Sequence, residues 1–233
     1  MSQARPTSWL SEAWRRIRKL AWLKALGNVV FLIVFFQLYL AIQQHPAQTV
    51  IQIPATSIDH WVGFQPWAVG LYLSLWVYTA LPVALQPDLR SLAFYGWTIG
   101  LLCAVGLTIF YLAPTSVSVA AGQRPEGGAL FATLYAVDDN GNACPSLHVA
   151  AAVLSGLWLH HMLRRLGAPR WAMLANQGWC AGIVFSTMAI KQHLLIDVLA
   201  GGALGAVAGW WSLRTSATRL DTGRSARIDA RKD

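Results

Sequence analysis

Six apolar stretches, roughly 26–42, 66–85, 91–112, 146–163, 171–190 and 194–213, take up half of a chain of 233 residues. A bilayer-spanning helix needs about 20 mostly apolar residues, and each stretch reaches or nearly reaches that length. The first is the shortest but is unbroken (NVVFLIVFFQLYLAI). Hydrophobic residues make up 55% of the chain and charged residues 12%. That balance excludes a disordered polypeptide, and it leaves too few charges to build a nucleic-acid-binding face. The expected fold class is all-α, a polytopic membrane protein with six transmembrane helices. Residues 1–25 read as a basic interfacial segment, 26–213 as the membrane domain and 214–233 as an unordered basic tail. The first stretch reads as an anchor, because 25 polar-to-amphipathic residues precede it and no small-residue cleavage site follows.

Orientation comes from the basic residues. Sixteen of the 18 Lys and Arg fall on one side of a six-span chain. They comprise six before the first span, Arg90, the trio Arg164, Arg165 and Arg170, and six in the tail. Basic residues stay on the cytoplasmic side, so both termini are expected there, most simply in a bacterial inner membrane. Residues 9–24 (WLSEAWRRIRKLAWLK) read as an amphipathic helix on that face, with Lys and Arg meeting anionic headgroups. Trp67, Trp171, Trp210 and Trp211 read as interfacial belt residues. Gly201, Gly205 and Gly209 form a small-residue stripe that lets a neighbouring helix approach closely, which suggests a last helix buried in the bundle. Cys103, Cys144 and Cys180 have neither a disulfide framework nor zinc-ligand spacing.

A membrane protein shows its chemistry by where it keeps ionisable groups. On the outer side the cations are Arg124 and Lys191. His148 opens span four and His193 sits just before span six. Their separation is one span down, one short loop and one span back, which places them at similar depth on one face. His193 and Asp197 are i and i+4, on one helical face, the geometry in which a carboxylate orients a histidine base. Pro145-Ser146 marks a helix start whose free N–H groups attract an anion. Ser146 adds a hydroxyl, Arg124 a forked guanidinium and Lys191 a second cation. Two cations and a helix N-terminus with few carboxylates favour phosphate over a metal. His45, His60, His160 and His161 read as structural or solvated.

These residues resemble the three motifs of the type 2 phosphatidic acid phosphatase superfamily: Lys-x6-Arg-Pro, Pro-Ser-Gly-His and Ser-Arg-x5-His-x3-Asp. Arg124-Pro125 is similar to the end of the first. Pro145-Ser146-Leu147-His148 is similar to the second, with Leu for Gly. Ser186-Thr187-Met188-Ala189-Ile190-Lys191-Gln192-His193-Leu194-Leu195-Ile196-Asp197 is similar to the third. The motif lysine falls at Val117 and the motif arginine at Thr187, so two usual phosphate-binding cations are absent, and Lys191 is expected to take over some of their charge. Leu147 and Lys191-Gln192 resemble the inositol phosphorylceramide synthase-like subgroup.

The resemblance implies that His193 attacks phosphorus to give a phosphohistidine, that Asp197 holds it, and that His148 is the acid and then the base. It implies that Arg124, Lys191 and Ser146 bind the phosphoryl group, without metal or cofactor. A site at the outer interface suits a lipid phosphate, a polyprenyl pyrophosphate or a phospholipid, with loop 115–144 placed to cover it. Three readings stand at this point: a lipid phosphatase, a headgroup phosphotransferase using an alcohol, and a non-catalytic lipid-binding protein. The partners expected are the lipid substrate and membrane lipids, with no nucleic acid and with a homo-oligomer left open.

Overall fold

The structure is a computed structural model that describes residues 8–117, 131, 134 and 141–229, with side chains as far as 216. The described elements are α1 (Trp9–Arg18), α2 (Ala21–Gln44), β1 (Ile51–Ile53), α3 (Ser57–Val62), a 3-10 turn (Pro66–Ala68), α4 (Val69–Leu73), α5 (Leu75–Ala84), α6 (Leu89–Leu112), β2 (Thr115–Val117), α7 (Leu147–Arg165), α8 (Arg170–Ala189) and α9 (Leu195–Asp229). The chain is thus mostly helical. The departure is a parallel pair of three-residue strands, in which Ile51, Gln52 and Ile53 stand opposite Thr115, Ser116 and Val117. It ties the connection after α2 to the one after α6.

Among the described residues, four helical stretches are long and apolar enough to cross a membrane: Ala21–Gln44, Pro66–Ala84, Leu89–Leu112 and Leu195–Ser216. The stretches expected as the fourth and fifth spans are helical, as α7 and α8 of 19 and 20 residues, but are not among these four. They have the length but are less apolar, and their packing explains why. α7 is the centre of the bundle and lies against α5, α6, α8 and α9. Its polar groups are paired between helices: Tyr95 Oη meets Ser155 Oγ at 3.2 Å, Asn176 Nδ2 donates to the Gly156 carbonyl at 3.0 Å, and Trp158 Nε1 donates to Ser212 Oγ at 3.0 Å. Shared between helices, such bonds satisfy groups that hydrocarbon would leave bare.

The small-residue stripe does what its spacing suggests, on one face only. A Cβ at Gly201 or Gly205 would run into the Ser146 or Ala150 carbonyl of α7. The other faces of α9 expose Ile196, Leu199, Val207 and Trp210, so α9 is not enclosed in the bundle. Helical structure also continues to Asp229, past the point where an unordered tail was expected, since no proline interrupts it.

The amphipathic segment is shorter than residues 9–24. α1 stops at Arg18, Leu20 adopts a left-handed backbone (φ 58°), and α2 begins at Ala21. Glu12 binds both Arg15 (2.7 Å) and Arg16 (2.8 Å), and the Arg15 and then the Arg16 guanidinium hold its carboxyl down at about 2. Lys24 corrects the sequence reading. It does not reach headgroups. It is 5% exposed, and its ammonium donates to the carbonyls of Arg16 (2.7 Å), Ala84 (2.7 Å) and Gln86 (2.9 Å). All three of its donors are thereby used, and they fasten α1, the end of α5 and the turn after it together.

Candidate active site

Two helix ends build the site. α7 starts at Ser146, which is fully buried and whose Oγ accepts from the Val149 N–H at 3.3 Å. Its described role is therefore the N-cap. Its own N–H donates to the Asp197 carbonyl at 3.1 Å, so the start of α7 is bonded to the first turn of α9. Leu147 stands where the resembling motif has glycine. Its side chain fills the space over Gly106 of α6, where an added Cβ would strike it. That is a packing account of the substitution.

The second helix end is the turn from α8 into α9. The Gln192 N–H bonds the Thr187 carbonyl (3.1 Å) and the Lys191 N–H bonds the Met188 carbonyl (3.1 Å). These two bonds define a Schellman cap. Its left-handed position, normally glycine, is Lys191 (φ 60°). A non-glycine residue there costs about 1–2 kcal/mol. The side chain reaches Asp59 of α3, donating from Nζ to its carbonyl at 2.6 Å. Burial pushes this ammonium below the usual lysine range, against the pull of the Asp59 carboxylate.

Asp59 is a residue that sequence reasoning missed. It is 3% exposed. One carboxylate oxygen caps α3 through Thr56 (2.8 Å), and the other accepts the Leu195 N–H (2.9 Å) at the start of α9. Thr56-x-x-Asp59 was legible as a capping box. Its hold on α9 was not.

Between these ends the rings meet. His148 Nδ1 lies 3.1 Å from His193 Nε2. His193 Nδ1 faces Asp197 Oδ2 at 3.6 Å, and that same oxygen accepts the Leu194 N–H at 2.9 Å. Asp197 is fully buried and His193 is 5% exposed. On the far side of His148, Nε2 is 2.8 Å from Tyr72 Oη. Tyr72, on α4, was also missed; in the sequence it was one more aromatic in an apolar stretch.

A neutral imidazole carries one N–H. Asp197 Oδ2, 3.6 Å from His193 Nδ1, is beyond hydrogen-bond distance, but a nearby carboxylate favours the proton on that nitrogen and so a lone pair on Nε2. His148 then donates to that lone pair from Nδ1, and its Nε2 accepts from the Tyr72 hydroxyl. In that tautomer the arrangement sets a nitrogen lone pair on one ring 3.1 Å from an N–H on the other.

The structure therefore brings His148, His193 and Asp197 together, with Ser146 bonded to the Asp197 carbonyl and Lys191 on the adjoining turn, tied to Asp59. Arg124 and most of the expected covering loop lie outside the described residues. A cavity of about 330 Å³ opens beside the histidine pair, lined there by Asn142, His148 and His193, and continues along α2 between α5 and α6.

Among known proteins, one family model, described as the PAP2 superfamily, matches residues 98–221. No curated protein matches the chain, and no solved structure does.

Proposed function

The chain belongs to the PAP2 superfamily, whose members point to phosphatase-type chemistry, and from that premise we propose that it is a membrane-embedded lipid phosphatase working through a phosphohistidine. The observation that carries this reading is the contact of His148 with His193 backed by Asp197. Substrate phosphate displaces the bond between the rings. His148 takes up a second proton as the phosphate binds, so that, as His193 Nε2 bonds to phosphorus and the ester P–O bond breaks, the imidazolium gives its Nδ1 proton to the leaving oxygen and is left as neutral imidazole. His148, now the base, takes a proton from water as that water attacks phosphorus and releases His193. Arg124, Lys191 and the N-terminus of α7 balance the charge on the transferred group. Six spans, with α7 and α8 as the inner pair and both termini cytoplasmic, put the histidines at the outer face. There a lipid can present its phosphate while its tail stays in hydrocarbon.

The test is purified protein in detergent with a panel of lipid phosphates and pyrophosphates, with and without alcohol acceptors. Release of inorganic phosphate is expected. A product that forms only with an alcohol would replace hydrolysis by headgroup transfer, and no turnover of any lipid would leave the non-catalytic reading.

Two variants probe single groups. Lys191→Gly relieves the left-handed strain, about 1 kcal/mol, and loses one hydrogen bond, about 1 kcal/mol. The melting temperature should hardly move, while turnover falls because the cation is gone. Lys191→Ala keeps the strain and should melt lower with the same loss of turnover. Normal turnover in both would remove Lys191 from phosphate binding.

Tyr72→Phe keeps the ring and removes the oxygen, 2.8 Å away, that accepts from His148 Nε2 once that ring is protonated, so the acid form is less stabilised. For an alkyl phosphate, kcat should fall roughly ten- to a hundredfold with little change in KM, part of what a general acid contributes. For an aryl phosphate with an acidic leaving group the loss should shrink. Equal losses on both substrates would make Tyr72 a packing residue only.

A further inference from the structure

The cavity beside the histidines is longer than one phosphate needs. Along α2 its wall recurs at helical spacing from Tyr39, near the histidines, to Leu23 and Lys24 at the opposite end. Fifteen residues of helix separate Tyr39 from Lys24, a length of about 22 Å. One leaflet of a bilayer is about 15 Å deep, half of a core about 30 Å thick. The groove therefore passes the mid-plane. Its far end is closed by Lys24, whose ammonium is pinned by three backbone carbonyls and has no donor left for a ligand. Just before that floor the lining includes two exposed glycines, Gly27 on α2 and Gly96 on α6, and a Cβ at either would meet nothing within 4 Å. The space there is open.

We propose that this groove holds the hydrocarbon chain of the substrate and measures it, favouring a lipid phosphate whose chain is longer than one leaflet is deep. The proposal rests on the reading of the histidine pair as the phosphoryl-transfer centre. Continuity argues for this occupant: the residues that would handle the phosphate line the same cavity as the apolar wall. A chain that stops at the mid-plane leaves the last third of the groove unfilled. One that reaches Gly27 and Gly96 makes additional van der Waals contacts with the groove wall, the term that drives association within hydrocarbon.

The experiment uses full-length protein and single-chain monophosphates of graded length with one headgroup. In the wild type, kcat/KM should rise beyond the length that spans a leaflet. Gly27→Phe and Gly96→Phe fill the far end, and each should lower the ratio of long-chain to short-chain kcat/KM by about fivefold or more, because a long chain must then be forced past the inserted ring. Val29→Phe, on the outward face of α2, should keep the wild-type ratio. Parallel length profiles in all four proteins would overturn the proposal.

A second readout does not need turnover. In His193→Ala protein, a long-chain phosphate with a terminal diazirine should label the stretch between Lys24 and Phe31 on the groove side. Label confined to outward residues such as Val29 and Ile33 would overturn the proposal, marking the chain as surrounding lipid. Labelling inside the groove by a protein whose wild type hydrolyses nothing would sink the catalytic reading and leave the groove standing.

Discussion

Replacing His193 by alanine is expected to lower lipid-phosphate turnover by at least about a thousandfold, the scale seen when a covalent nucleophile is removed, without unfolding the protein. The fold does not lean on the ring. The turn that carries it is held by backbone bonds from Gln192 and His193 to the Thr187 carbonyl, and α9 is capped by Asp197 and Asp59. The discriminating measurement is covalent. Wild-type protein mixed with substrate labelled at phosphorus and quenched in base should carry an acid-labile label, and His193→Ala should carry none. His148→Ala, given an aryl phosphate that needs no acid, should still take up label and should hold it, because the base that activates water is gone. Label on His193→Ala, or turnover by it, would end the phosphohistidine mechanism.

The second large effect is expected at a residue with no polar atom in its side chain. In Gly201→Ala the new Cβ would meet the Ser146 carbonyl, a backbone atom that cannot turn aside. α7 and α9 must part where the Ser146 N–H bonds the Asp197 carbonyl. His148 follows one of these residues and His193 precedes the other. A shift of about 1 Å in such a pair can cost roughly a hundredfold in rate, and overpacking of this kind costs about 1–3 kcal/mol. Gly202→Ala is the contrast. Its Cβ would sit 4.0 Å from Val149 Cγ1, an ordinary contact, and alanine is up to about 1 kcal/mol better than glycine inside a helix. One position should lose both activity and melting temperature, and its neighbour should keep the first and raise the second. Similar behaviour at the two sites would show that the close approach of α7 and α9 is not what sets the rings.

The cluster of His148, His193 and Asp197 was legible because it obeys counting rules. His193 and Asp197 are one helical turn apart, and His148 lies one hairpin of spans away, so topology alone placed the three together. Residues that act across the fold followed no such rule. Asp59 sits in a connection where a lone carboxylate reads as solvated, and Tyr72 hides among apolar neighbours. Lys24 was counted with the headgroup lysines because nothing in its neighbourhood reveals that three carbonyls from distant segments converge on it. The bundle itself was visible as apolar runs. The lower hydropathy of α7 and α8 had its cause in partners such as Tyr95 with Ser155, which a single helix does not display.

Asp59, Tyr72 and the α2 wall all precede residue 98, where the family match begins, while His193 and Asp197 lie within the matched stretch. The clasp of Asp59 on Leu195 therefore joins early chain to late chain. The histidine cluster cannot assemble until α9 has closed onto the connection after α2. A chain in which that has not happened carries one histidine without its partner, so the proposed chemistry waits on this closure.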